Sequence, residues 1–162
     1  MKTAELVGRN NYFEDFETGA VIRHARGKTI TEMDNVLITN MVMNTAEGHF
    51  NEHLMSTAGN DIFSQRVVFG GINLAMVIGL AAQDTAEQAL AELSLDGIKL
   101  SHPVVHGDTL YAFSEVLGKE EGDRADAGII RFRHFGVNQH DKLCVQADRR
   151  VQIKRRSHWA DQ

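Results

Sequence analysis

Residues 72–82 of this chain read INLAMVIGLAA, and drawn as a helix this stretch is apolar on nearly every side. A helix with no polar face has none to turn toward solvent, so it must be buried all round. The run is also shorter than the roughly twenty residues that a membrane span requires. It therefore predicts a helix at the centre of a protein core. Residues 83–93 are rich in Ala, Glu and Gln, which predicts that the helix continues into solvent until Asp96-Gly97 ends it.

The second half of the chain changes its apolar period from helical to two, as in the alternation of residues 143–154. Turn-forming residues separate four such segments. They predict strands over 98–106, 109–119, 127–138 and 143–154, with an earlier strand over 21–28. Strands joined by short turns run antiparallel, and one buried helix needs a sheet to cover it. We therefore predict an α+β fold: one domain over residues 1–162 with a curved antiparallel sheet around a long central helix.

Length and charge narrow the class of protein. The chain has 162 residues, enough for one domain. Its net charge of -5 comes from interspersed charges, which argues against a nucleic-acid or anionic-membrane partner. Residues 154–156, Lys-Arg-Arg, are expected to form a solvated tail. The single Cys144 excludes an intramolecular disulfide, and residues 1–5 lack the apolar core of a signal peptide, so a reducing cytoplasm is expected.

The first half of the chain carries an unusually dense polar stretch. Residues 12–19 contain aromatic residues next to acidic ones and end at Gly19. This pattern predicts that the aromatic rings pack on the core just before a turn. Thr31 and Asp34 form a near capping box and predict a helix over 31–45. Residues 43–53 follow, MNTAEGHFNEH, with two histidines, two glutamates and two asparagines directly after an apolar run. We predict that this stretch, which extends into an irregular segment at 48–59, holds the functional site.

The chain resembles the MaoC-like dehydratases and (R)-specific enoyl-CoA hydratases, which have the hotdog fold. The resemblance covers nearly the whole length, and five segments carry it in order: FEDFETG at 13–19, TITEMD at 29–34, the polar stretch, VVFGG at 67–71 and PVVHGDTL at 103–110. Because a Met-Asn-Thr run precedes the histidine, the chain looks like the mesaconyl-CoA and itaconyl-CoA hydratase branch. The resemblance implies a hydratase or dehydratase acting on a short, branched or unbranched dicarboxylic enoyl-CoA.

The family signature G-D-x-N-P-[LIV]-H implies which residues do the chemistry. Laid on residues 43–49 without gaps, it puts His49 at the catalytic histidine and Asn44 at the aspartate. An amide cannot accept a proton, so His49 must carry the proton traffic or Glu47 must help. A second alignment places His49 on the aspartate instead. A purely structural alternative for Asn44 is a left-handed residue at a helix C-terminus.

The reaction that the resemblance implies also needs groups that bind the substrate. Gly70 and Gly71 precede the buried helix, where free N–H groups could stabilise the thioester oxygen, although close helix–sheet packing explains glycine there equally well. Arg66 adjoins them and could grip a second substrate carboxylate. No metal or redox cofactor is implied, since the CoA thioester is the substrate. Hotdog domains pair through their sheets, so a homodimer or higher homo-oligomer is expected.

Three other functions fit parts of the sequence. His49 to His53 spells H-x-x-E-H, the inverted zinc-peptidase motif, which requires both histidines on one helix face. An acyl-CoA thioesterase of the same fold would need an acid near the central helix, where residues 72–82 offer only Asn73. A non-catalytic acyl-CoA-binding module is also consistent with the missing aspartate.

Overall fold

A computed structural model describes residues 3–4, 11–57 and 63–160. Its strands and α-helices, in chain order, are β1 (Thr3–Ala4), β2 (Val21–Thr29), α1 (Glu32–Met41), α2 (Glu47–Phe50), α3 (Glu52–Thr57), α4 (Gly70–Thr85), β3 (Ala89–Leu100), β4 (Thr109–Glu120), β5 (Ala127–Asn138), β6 (Leu143–Lys154) and α5 (Arg156–Trp159), and a 3-10 turn at Phe13–Asp15 precedes β2.

One sheet holds the fold together, with strands in the order β1-β2-β4-β5-β6-β3. Every neighbouring pair is antiparallel except β1 and β2. Helix α4 lies across β2, β4, β5 and β6 and buries Ile72 and Val77. Gly136 of β5 lets the helix come this close, because a Cβ there would collide with the Val77 side chain. The predicted α+β class, a sheet around a central helix, is confirmed.

The prediction that the central helix runs on through residues 83–93 is wrong. Helix α4 ends at Thr85 and strand β3 begins at Ala89. Helix-forming residues are used in a strand because β3 pairs with β6 along its length and Glu92 forms an ion pair with Arg149 of β6. Tertiary pairing overrides local propensity here. The strand predicted over 98–106 consequently lies earlier and ends at Leu100, whereas the strands over 127–138 and 143–154 are confirmed.

Helix α1 has the predicted capping box but is shorter than predicted. The Thr31 hydroxyl accepts from the Asp34 N–H at 3.2 Å, and Asp34 Oδ2 accepts from the Thr31 N–H at 2.8 Å. The helix ends at Met41, not at Thr45. Met43 takes a left-handed φ of 56°, so it, and not Asn44, turns the chain after the helix.

The basic cluster at 154–156 is not the solvated tail that the sequence predicts. The Arg155 guanidinium lies 4.4 Å from the centre of the Phe13 ring, and Lys154 lies 4.8 Å from the ring of Trp159. Phe13 and Phe16 are themselves buried, which confirms that the early aromatic segment docks on the core. Within the described ranges, no helix is both long and apolar enough to cross a membrane.

Candidate active site

His49 lies in the single turn of α2, with its imidazole turned toward the start of α4. Its Nδ1 is 2.8 Å from the Val67 carbonyl oxygen. A carbonyl can only accept, so Nδ1 carries the proton of this bond and the neutral ring keeps its lone pair on Nε2. The ring packs edge-on against Phe69, with 5.7 Å between centroids. The geometry therefore presents Nε2 as a proton acceptor beside the residue that precedes Gly70.

The segment that carries His49 is fixed by main-chain contacts with the strand-like stretch before α4. The Val67 N–H donates to the Gly48 carbonyl at 3.0 Å, and the Val68 N–H donates to Val104 at 2.8 Å. The His49 N–H closes the turn onto Ala46 at 2.9 Å. The position of the imidazole thus depends on backbone that is anchored to the core.

Helix α4 begins with two residues that have no side chain. A Cβ at Gly70 would collide with Leu100 Cδ1, and a Cβ at Gly71 would lie 2.5 Å from the Phe69 ring. A side chain at either position would therefore have to displace Leu100 or the Phe69 ring. The first N–H groups of a helix have no intrahelical acceptor, so Gly70 and Gly71 also have donors available for an anionic oxygen.

The predicted residues Asn44 and Glu47 lie near His49 in sequence but form no hydrogen bond with its imidazole in the described part of the chain. Asn44 Oδ1 accepts from the Ala46 N–H at 3.1 Å, which stabilises the turn into α2. Glu47 is exposed in the first turn of α2. Their catalytic roles stay predictions.

Arg66 is held by two carboxylates from different helices. Its Nη2 lies 2.6 Å from Glu32 Oε1 of α1, and its Nε donates to Glu52 Oε2 of α3 at 3.0 Å. Hydrogen bonds from Arg66 lower the pKa of Glu52. The guanidinium joins α1 and α3, and a substrate carboxylate can bind it through the remaining N–H groups or by replacing one of these partners.

Two buried asparagines lie close to these groups. Asn73 is 5% exposed, its Oδ1 has no partner within the described residues, and it lines a cavity of about 290 Å³ together with Gly70 and Val104. Asn35 is fully buried on α1. Nothing in the sequence singled out Asn35, because an asparagine beside an apolar helix run looks the same whether it faces the core or solvent.

The H-x-x-E-H spacing does not place both histidines on one helix. Helix α2 ends at Phe50 and α3 begins at Glu52, so His49 and His53 belong to separate helices. Among the described residues, no group of three or more His, Cys, Asp or Glu side chains is arranged to hold a metal ion. The structural premise of a zinc-peptidase helix is therefore not met.

Comparison with known proteins gives concordant results. The sequence profile described as mesaconyl-CoA hydratase matches residues 7–155. A beta-methylmalyl-CoA dehydratase from Chloroflexus aurantiacus is 34% identical over 138 residues, which are 85% of this chain and 38% of that protein.

Solved structures agree with the predicted fold. A MaoC domain dehydratase from Chloroflexus aurantiacus has a TM-score of 0.81 at 28% identity and covers 91% of this chain and 45% of its own. A Mycobacterium tuberculosis protein described as a double hotdog fold has a TM-score of 0.82 at 22% identity, covering 93% of this chain and 46% of its own. The hotdog fold is confirmed, and the chain spans less than half the length of each of these three relatives.

Proposed function

The chain belongs to the mesaconyl-CoA hydratase family, and on this basis we propose that it is a hydro-lyase acting at the double bond of a short dicarboxylic enoyl-CoA thioester. Hydratase and dehydratase name the two directions of one reaction, and relatives carry both names. No metal or redox cofactor is needed for this chemistry.

The observation that carries the proposal is the orientation of His49. Because Nδ1 donates to the Val67 carbonyl, Nε2 is the basic atom. In the hydration direction, Nε2 takes a proton from water while the water oxygen forms a bond to the β-carbon. The electrons of the carbon–carbon double bond move toward the thioester, whose oxygen becomes negative. The imidazolium then returns the proton to the α-carbon, so that one water is added in total.

The negative thioester oxygen needs hydrogen-bond donors that are already in place. The N–H groups of Gly70 and Gly71 meet this need at the positive end of the α4 dipole, one residue beyond the Phe69 ring that contacts His49. Base and oxyanion donors thus lie on adjacent segments, as addition across one conjugated thioester requires.

The remaining predicted residues have supporting roles in the proposal. Arg66 binds the second carboxylate of the substrate in place of Glu32 or Glu52, with the bidentate geometry that a guanidinium offers. Asn44 orients water, and Glu47 assists proton exchange with solvent from its exposed position.

A second copy of the chain completes the assembly in this proposal. The relatives are more than twice as long as their matching region, and one is described as a double hotdog fold. In the described part of the sheet, strand β3 is an edge. Its Leu95 and Leu100 are 44% and 56% exposed. A homodimer formed along β3 would cover these side chains and supply the second domain.

The test is to incubate the protein with mesaconyl-, itaconyl- and crotonyl-CoA and to measure two quantities, the loss of the enoyl thioester and the release of free thiol. We expect water addition without thiol release, with preference for a dicarboxylic substrate. His49→Ala should lower kcat/KM by about 10² to 10⁴. The matched control is His53→Ala, which removes an exposed imidazole four residues away and should retain activity.

Three outcomes would contradict the proposal. Thiol release would indicate a thioesterase, and binding without turnover would indicate an acyl-CoA-binding module. Loss of activity in His53→Ala with retention in His49→Ala would show that the base is His53 and not His49.

A further inference from the structure

Asn35 connects the two halves of the candidate site through its side-chain amide. Its Nδ2 donates to the His49 carbonyl oxygen at 3.2 Å, and its Oδ1 accepts from the Phe69 N–H at 3.1 Å. The side chain is 0% exposed. One buried amide therefore binds both the residue that carries the base and the residue that precedes the glycine donors.

We propose that Asn35 is a positioning residue that fixes the His49 imidazole relative to the first turn of α4. The inference rests on the proposed function. The base and the oxyanion donors must act on two ends of one conjugated system, and a displacement of about 1 Å can cost roughly 100-fold in rate. Val67 ties the imidazole and Gly48 to the stretch before α4. Asn35 adds the link from the His49 main chain to Phe69 itself.

An amide suits this position because it has a donor and an acceptor on one planar group. A carboxylate of the same shape could still accept from the Phe69 N–H but would face the His49 carbonyl with a second acceptor. Since the site is fully buried, water cannot replace the missing donor. Asn35→Asp therefore breaks one arm of the link and leaves the other in place.

We expect Asn35→Asp to lower kcat by about 10- to 100-fold while KM changes by less than about threefold, because only the alignment in the transition state is lost. Burial raises the pKa of the introduced carboxyl. As pH falls, this group takes up a proton and regains a donor, so the ratio of variant to wild-type kcat should rise. A simple charge effect on His49 would have the opposite trend. A nearby carboxylate favours the imidazolium, so as pH falls the variant would lose its base before wild type does and the ratio would fall.

The matched control is Asn40→Asp on the same helix. Asn40 is exposed, and its Nδ2 donates at 2.8 Å to Val36 within α1. Its substitution adds the same charge to α1 without touching the link, and kcat should stay within about twofold of wild type. Equal kcat for the two variants at every pH would overturn the positioning role.

A measurement without turnover separates this inference from the proposed function. If the wild-type protein hydrates none of the thioesters, the proposed function fails, but amide hydrogen exchange still reports the link. Loosening of the His49 segment should speed exchange of the Val67 N–H, which donates to Gly48, in Asn35→Asp and not in Asn40→Asp. Unchanged Val67 exchange in Asn35→Asp would refute the link itself.

Discussion

Four polar side chains form a hydrogen-bonded chain in the core. The His24 Nδ1–H donates to Asp84 Oδ2 at 2.6 Å, because a carboxylate only accepts. The Ser114 hydroxyl then donates to His24 Nε2 at 2.7 Å and accepts from His134 Nδ1 at 2.6 Å. All four residues are at least 95% buried. Both imidazoles are neutral in this arrangement, and burial lowers the pKa of His24 and takes that of His134 to about 3.

These four hydrogen-bonded side chains make the stability of the protein sensitive to acid. The pKa of a histidine in the unfolded state is near 6.5, whereas the pKa of His134 in the folded state is about 3. The free energy of unfolding should therefore fall as pH drops through this window, by about 1.4 kcal/mol per pH unit for each such group. His134→Asn keeps a donor toward Ser114 but cannot take up a proton. Its stability should be lower at pH 7 and should change less steeply with pH.

Denaturant unfolding between pH 7 and pH 4.5 measures the two slopes. His140→Asn is the control, because His140 lies exposed in the turn between β5 and β6 and its loss should leave the wild-type slope. A His134→Asn slope equal to that of wild type would show that His134 is protonated in the folded state.

Two glycines of helix α4 have different surroundings, so replacing each by alanine should change the stability of the protein in opposite directions. At Gly79, on the exposed face, a Cβ would meet nothing within 4 Å. Gly79→Ala should raise the free energy of unfolding by about 0.5–1 kcal/mol, since alanine restricts the unfolded chain. At Gly71 a Cβ would press on the Phe69 ring, which packs on the core and on His49. Gly71→Ala should cost about 1–3 kcal/mol by overpacking.

Thermal unfolding of the two variants provides the comparison, with hydration kinetics as a second measurement. Gly79→Ala should keep wild-type kcat, whereas Gly71→Ala should lose activity as the ring displaces the imidazole. If both alanines stabilised the helix equally, the close approach of Phe69 to the helix start would be wrong.

The elements that sequence predicts well are those whose pattern and packing agree. Residues 127–138 and 143–154 form β5 and β6 over those ranges, and burial alternates along most of both strands. The same reasoning fails at residues 83–93, where helix-forming side chains enter β3 because β6 offers a partner. His49 could be predicted from its motif, but Asn35 could not, since its role depends on two contacts 14 and 34 residues away.

At the scale of the whole molecule, strand β3 leaves an apolar edge. Leu95 pairs with Arg149 and Leu100 with Val145. Both β6 partners are buried, and paired residues share a sheet face, yet the two leucines are about half exposed. Leu100 also contacts the α4 start, since it occupies the space beside Gly70. The uncovered strand therefore lies next to the candidate site.

The homodimer proposed for this chain predicts that β3 is its interface. Light scattering at micromolar concentration should give twice the mass of a single chain. Leu95→Glu should shift the protein toward monomer, because it puts a charge where a second strand would bury an apolar side chain. Leu37→Glu on α1, at a residue that is 56% exposed, adds the same charge elsewhere and should leave the dimer intact.

Since Leu100 borders the start of α4, hydration activity should fall with the dimer fraction in Leu95→Glu and recover at high protein concentration. A wild-type monomer would refute the proposed dimer. Dissociation by Leu37→Glu alone would show that the interface lies at α1 and not at β3.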